Sequence, residues 1–302
     1  MIYDLIIVGA GPAGITAAVY AARKKIDFIV ITADVGGQAA WSSDIENYTG
    51  YQFVTGPELV AKFEEHMRAY NIDVRENEPV TQLEKIENNI VIKTKKGSYR
   101  ARTAIIASGK VSKELNVPGE KEFKNRGVTY CATCDGPLFA QKDVAVIGGG
   151  NSALDAAIQL IKIAGHVYVI NSAPALTGDK IMQEKVASSG KATVLNSAQV
   201  SAILGDKVVS GIKVKRQGKE EAFSVEGVFI EIGLVPNSGF AKEVKKNEYG
   251  EIIVDCGNQT SMPGVFAAGD VTSVPEKQIV IAAGEGSKAA LGAFRYLNTT
   301  RQ

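Results

Sequence analysis

Residues 3–8, Tyr-Asp-Leu-Ile-Ile-Val, become continuously apolar, the pattern of a strand buried on both faces of a parallel sheet. Gly9-Ala-Gly-Pro-Ala-Gly14 interrupts the run, an alanine-rich helical stretch continues to about Lys25, and a second apolar strand covers Phe28 to Thr32. That order is a βαβ unit. The same grammar returns at Val144–Ile147, Gly148-Gly-Gly-Asn-Ser-Ala153, a helix to about Ala164 and the strand Val167–Ile170. Two copies of one unit imply two dinucleotide sites, a duplication and not a solenoid period. Alternating segments at Val80–Ile86, Asn89–Lys95 and Ser98–Arg102 read as antiparallel strands, with a Lys-Lys-Gly turn. A further set, Val208–Arg216 and Ala222–Val225, turns at Gln217-Gly218. Val265–Gly269 reads as strand then glycine turn, and residues 278–297 as an Ala/Gly-rich helix. The fold class is α/β: two Rossmann-like units, each with a small β-meander.

The chain has 302 residues, 45% hydrophobic, with 31 glycines, which suits two α/β domains with many tight turns. Lys plus Arg total 34 against 33 for Asp plus Glu, so no electrostatic footprint points to nucleic acid or an anionic membrane. No apolar run approaches the ~20 residues of a spanning helix. A glycine fingerprint starting at Gly9 leaves no room for a signal peptide, so a cytoplasmic protein is expected. Three cysteines exclude a disulfide-stapled secreted scaffold.

Gly9, Gly11 and Gly14 match the GxGxxG pattern in its strand–turn–helix context, where backbone approaches a pyrophosphate seated on a helix N-terminus. The ribose-binding acid that should end the second strand is replaced by Thr32, with Asp34 nearby. Gly36-Gly37-Gln38 is a second close-approach loop, or an ordinary turn. Asp270, presented by the Gly269 turn, can accept hydrogen bonds from polyol hydroxyls such as a ribityl chain, or can cap a helix. Cys131-Ala-Thr-Cys134-Asp135 carries the chemistry: a dithiol is oxidised reversibly by two electrons, matching hydride chemistry at a flavin. Asp135 can handle the proton that thiolate chemistry needs. Half a zinc site is the bland alternative, but only Cys256, His66 and His166 remain and none has ligand spacing, so no metal is expected. Cys256 reads as a buried packing residue and the two histidines as structural.

The order of two fingerprints, with Cys-Ala-Thr-Cys-Asp shortly before the second, resembles the low-molecular-weight thioredoxin reductases over essentially the whole chain. Ile45-Glu-Asn47-Tyr-Thr-Gly50, Ile106-Ala-Ser108-Gly109 and Gly264–Val271 belong to that likeness. Pro275-Glu-Lys277-Gln278-Ile279 through Gly286 is similar to the flavoprotein subunit of alkyl hydroperoxide reductase, without that subunit's additional N-terminal thioredoxin-like domain. The resemblance implies the FAD/NAD(P)-linked disulfide reductase fold. It also implies a discontinuous FAD domain at 1–112 and 240–302, and a nicotinamide-type domain at 113–239. A homodimer and a large rotation between the domains are implied with it. FAD contacts are implied for Gly9, Gly11, Pro12, Ala13, Gly14, Thr32, Gly36, Gly37 and Gln38. Asn47, Ser108, Gly109, Gly269, Asp270, Lys277, Gln278 and Ile279 complete that set. By the same resemblance Cys134 lies against the flavin, Cys131 attacks the partner disulfide and Asp135 is the acid.

Gly148, Gly150, Asn151, Ser152, Ala153 and Asn171 are the corresponding candidates for a nicotinamide nucleotide. One departure matters there. NADPH-using relatives follow the second fingerprint's strand with a cationic pattern that holds the 2′-phosphate, whereas this chain has Asn171, Ser172, Ala173 and Thr177. Lys180 lies downstream, but one flexible cation substitutes poorly for a bidentate fork. The reading is an FAD-dependent reductase of thioredoxin or a thioredoxin-like protein, with NADH or reduced ferredoxin as donor in preference to NADPH. The rivals are an FAD-dependent dithiol oxidase passing electrons to oxygen, and a non-enzymatic FAD- or zinc-binding protein.

Overall fold

The computed structural model describes residues 2–42 and 45–299. The chain divides into two compact units, Met1–Val111 with Val235–Gln302, and Ser112–Leu234. The terminal residues of the expected first domain, 1 and 300–302, lie outside the described residues.

In the first unit, Ile2–Ala10 lies between Phe28–Val35 and Ser98–Ile106 in parallel, with Leu5 opposite Phe28 on one side and Thr103 on the other. Asp73–Arg75 and Val265–Ala267 extend the parallel part at its two sides. The expected strand Ser98–Arg102 continues to Ile106. Its first half pairs antiparallel with Asn89–Thr94, which pairs with Val80–Ile86, and its second half joins the parallel sheet. The meander is therefore a continuation of the same sheet. Successive side chains of a strand point to opposite faces. Leu5 and Ile7 accordingly pack with Ala17, Ala18, Ala289 and Ala293 on one face, and Ile6 and Val8 with Ile29, Ile31 and Ile92 on the other. Each fully buried Leu or Ile contributes about 1.5–3 kcal/mol. The small residues of the helices Pro12–Arg23 and Ile279–Thr299 let their backbones approach: a Cβ on Gly286 would sit 2.1 Å from the Ala13 carbonyl oxygen. A third helix, Gly56–Arg68, begins in a capping box between Thr55 and Glu58.

The second unit has a parallel sheet in the order Ala192–Leu195, His166–Ile170, Asp143–Ile147, Gly227–Ile230, Val128–Thr129. An antiparallel sheet of Ala198–Gly205, Val209–Arg216 and Lys219–Phe223 accompanies it. The hairpin strand expected at Ala222–Val225 starts earlier. Gln217 and Gly218 both have positive φ, 50° and 77°, and such a two-residue turn places Arg216 directly opposite Lys219. The connecting segments Lys110–Ser112 and Leu234–Pro236 pair as a two-stranded ladder. Among the described residues no helix is long and apolar enough to cross a membrane.

Candidate functional site

A cavity of about 550 Å³ opens in the first unit, above the C-terminal ends of its parallel strands. Its wall contains Gly9, Gly11, Pro12 and Ala13 from the first fingerprint, with Thr32, Gly37 and Gln38. Asn47, Ser108 and Gly109 lie on it too, as do Gly269, Asp270, Lys277, Gln278 and Ile279. Gly14 and Gly36 stand behind the wall. A Cβ on Gly14 would lie 1.9 Å from the Gly9 oxygen, and one on Gly36 would lie 2.5 Å from Val60. Gly11 is different. Its φ is −78° and the nearest atom to an added Cβ is the Gly36 oxygen at 3.9 Å, so nothing in the protein demands glycine there. The helix Pro12–Arg23 starts at Gly11 with no side-chain cap, leaving its N–H groups directed outward for an anion.

The second strand runs on to Val35, past its expected end at Thr32, and the Thr32 hydroxyl is consumed at its irregular pairing with the first strand: it accepts from the Ala10 N–H at 3.2 Å and donates to the Asp34 carbonyl. Asp34 is exposed on the cavity wall. Asn47 Nδ2 donates to Gln278 Oε1 at 2.9 Å, joining two candidates that are far apart in sequence. Gln38 Nε2 reaches the Lys110 carbonyl at 2.7 Å, and Ser108 Oγ donates to the Asn237 carbonyl at 2.7 Å. Asp270 is partly buried. Burial pushes its carboxyl up, and the ammoniums of Lys277 and Lys110 oppose that. Both ammoniums lie 3.2 Å from Glu251 Oε1, and Lys277 also donates to the Thr272 carbonyl. Burial pushes the Glu251 carboxyl up as well, but hydrogen bonds from Asn247, Lys110 and Lys277 outweigh it and hold it below the usual range. Lys110 and Trp41, both on the cavity wall, and Glu251, which pairs with Lys110, escaped the sequence reading. A single tryptophan was the only available signal among them.

In the second unit Cys131 and Cys134 form a disulfide, Cα atoms 5.4 Å apart, at the start of the short helix Ala132–Asp135. The Cys134 N–H donates to Cys131 Sγ at 3.1 Å. Thr129 Oγ1 accepts from the Cys131 N–H at 3.2 Å and donates to the Asp135 carboxylate, tying the acid to the backbone of the first cysteine. Cys134 is exposed and Cys131 half-buried. Cys256 is exposed and unpaired, contrary to the expected packing role. The Asp255 carboxylate accepts from the Gly257 and Gln259 N–H groups, and this tight turn holds residue 256 off the core. His166 hydrogen-bonds Thr193 Oγ1, and His66 packs beside Tyr70.

The second fingerprint sits at the end of Asp143–Ile147, beside the C-terminal end of Gly227–Ile230, where an open α/β sheet forms a crevice. Gly150, φ −91°, has only Thr177 Oγ1 at 3.8 Å from an added Cβ, so packing does not demand glycine there either. Ala153 is fully buried under Gly148, Ser152 is exposed, and Asn151 exchanges hydrogen bonds with Asp179. Asn171 is buried, its Nδ2 donating to Ala173 O and Asn196 Oδ1, and its Oδ1 accepting from the Ala173 N–H. Its amide has no donor left for a ribose hydroxyl. Lys180 is exposed. Glu231, at the crevice, has its carboxyl pushed up to about 8 by burial and then by the nearby Asp155.

Residues 3–286 match the family profile described as pyridine nucleotide-disulphide oxidoreductase. The chain belongs to that family. Its fold is that of the flavoprotein disulfide reductases. The thioredoxin reductase of T. acidophilum has a similar structure, with a TM-score of 0.88, 39% identity and 99% of each chain covered. An NADH dehydrogenase of Bacillus subtilis is 46% identical over 98% of this chain. An alkyl hydroperoxide reductase subunit of Xanthomonas campestris is 45% identical over 99% of it. The chain spans 58% of the length of each of these last two relatives.

Proposed function

We propose that the chain is an FAD-dependent reductase of thioredoxin or a thioredoxin-like protein, working through Cys131 and Cys134. The observation that carries this reading is a CxxC disulfide tied to an acid, in a family member whose other unit holds a dinucleotide-sized cavity. The first unit fits FAD. The open position at Gly11 and the uncapped helix would hold a pyrophosphate, and Asp34, exposed on the cavity wall, would accept from an adenosine ribose. Asp270 would accept from the ribityl hydroxyls, and the linked Asn47 and Gln278 would bound the ring system. FAD supplies two-electron exchange between the donor and the cysteine pair.

With the pair reduced, the Cys131 thiolate attacks one sulfur of the partner disulfide. A mixed disulfide forms and the partner's other sulfur leaves as a thiolate, to which Asp135 in this reading delivers a proton. Cys134 then attacks Cys131 Sγ, re-forming the intramolecular disulfide and releasing the partner as a dithiol. Two electrons leave the protein in each cycle.

NADPH is expected to be a poor donor. Charge-assisted hydrogen bonds contribute about 1.5–3 kcal/mol each, so the absence of two cations around residues 171–177 removes roughly a hundredfold or more of 2′-phosphate preference. The name of the B. subtilis relative favours NADH. Reduced ferredoxin is the donor if neither nucleotide serves. Anaerobic stopped-flow reduction of the bound flavin by NADPH, NADH and reduced ferredoxin tests this. Micromolar NADPH affinity with strong preference over NADH would overturn the donor assignment. The protein acts as a cytoplasmic homodimer in this reading.

A further inference from the structure

Glu285 lies on the helix Ile279–Thr299, only 5% exposed, and is not part of the cavity wall. Its Oε2 accepts from the Gly269 N–H at 2.7 Å and stands 3.2 Å from Thr272 Oγ1. Thr272 Oγ1 in turn donates to the Gly269 carbonyl at 2.8 Å. The segment bracketed by these bonds is the turn that starts at Gly269, φ +78°, and carries Asp270 into the cavity. Lys277 holds the far end of the same turn through the Thr272 carbonyl.

A buried carboxyl without a cationic partner is costly. No ion pair to Glu285 occurs among the described residues; burial pushes its carboxyl up, against the two hydrogen bonds and the weaker pull of the Lys288 and Lys277 ammoniums, neither of which pairs with it. A glutamate adds nothing to the apolar packing of alanines on either side of it, Ala282 and Ala289. Its one evident use is the turn.

We infer that Glu285 is a positioning residue for the cofactor, clasping the Gly269–Thr272 turn so that Asp270 is fixed as an acceptor for a polyol chain. This rests on the assignment of FAD to the first unit. Glu285 acts through Asp270, so its contribution to FAD affinity disappears when Asp270 is gone. A residue that merely supports the fold weakens binding by the same factor in both backgrounds.

The test is a double-mutant cycle on apo-protein of the full chain, titrated with FAD and followed by flavin fluorescence, with thermal melting of each apo-variant alongside. Glu285→Ala should weaken FAD binding about tenfold or more, the effect of one hydrogen bond to a charged group. Glu285→Gln keeps an oxygen for the Gly269 N–H and should stay within about threefold of wild type on the same scale. In an Asp270→Ala background, Glu285→Ala should add less than about threefold. Where Glu285→Ala does not fold, Thr272→Val removes the other end of the clasp and carries the same cycle. Unchanged affinity in Glu285→Ala, an equal loss in both backgrounds, or no rescue by glutamine would overturn the positioning role. Wild-type apo-protein that takes up no FAD would instead overturn the cofactor assignment on which the role depends.

Discussion

Gly11 and Gly14 belong to one motif, yet the structure gives their substitutions opposite consequences. At Gly14 an added Cβ meets the Gly9 carbonyl oxygen at 1.9 Å, backbone against backbone, and overpacking of that kind costs about 1–3 kcal/mol or more. At Gly11 the nearest atom is 3.9 Å away and φ is ordinary, so alanine or valine should alter apo-protein stability by no more than ~1 kcal/mol, the scale of a cap substitution. Affinity for FAD should behave the other way. A side chain at residue 11 blocks approach of the pyrophosphate to the helix N–H groups. Losing two such bonds, about 1.5–3 kcal/mol each, weakens binding at least a hundredfold. The assay is urea unfolding of apo-protein together with FAD titration. A fully flavinated Gly11→Val protein, or a Gly14→Ala protein of wild-type stability, would refute the reasoning.

Cys131→Ser and Cys134→Ser should each abolish disulfide reduction while retaining FAD, as neither thiol alone can cycle; substantial turnover by either, measured against oxidised thioredoxin, contradicts the pairing. Cys256→Ser, at an exposed turn, should leave both activity and stability within error in the same assays. Glu231 gives a signed pH effect. Between about 4.5 and 8 the unfolded chain has lost its proton and the folded chain keeps it, so stability falls with rising pH, by up to ~1.4 kcal/mol per pH unit. Glu231→Gln should remove that slope from urea midpoints measured across this window, and an unchanged slope would count against the buried neutral acid.

Much of the cavity was legible because its parts are local. A strand followed by GxGxxG and a helix, and a Gly-Asp turn after a short strand, are each readable within a few residues of sequence. Contacts made across long separations were not: Asn47 meets Gln278, and Lys110 meets Glu251, only once the sheet is assembled. Thr32 shows a different limit. The strand was expected to end at Thr32 but runs on to Val35, so Thr32 lies inside it with its hydroxyl spent on backbone groups of Ala10 and Asp34, while Asp34 itself is exposed. Asn171 is similar, a polar residue expected at a ligand position whose amide is consumed by Ala173 and Asn196. The strand Ala198–Gly205 went unread, and it pairs with Val209–Arg216 through register shifts that a simple alternation pattern does not encode. Cys256 was misjudged because free cysteine is usually buried, and the Asp255 turn overrides that tendency here.

The most direct test of the central claim is the number of thioredoxin disulfides that the reduced protein can reduce without further donor. Flavinated protein is reduced anaerobically, freed of reductant and mixed with excess oxidised thioredoxin, and new thiols are counted. About two thioredoxin equivalents per chain are expected, one from the cysteine pair and one from the flavin, since each disulfide takes two electrons. Cys131→Ser and Cys134→Ser should deliver none. Reduced wild-type protein that passes its electrons to oxygen but leaves thioredoxin oxidised would contradict the assignment.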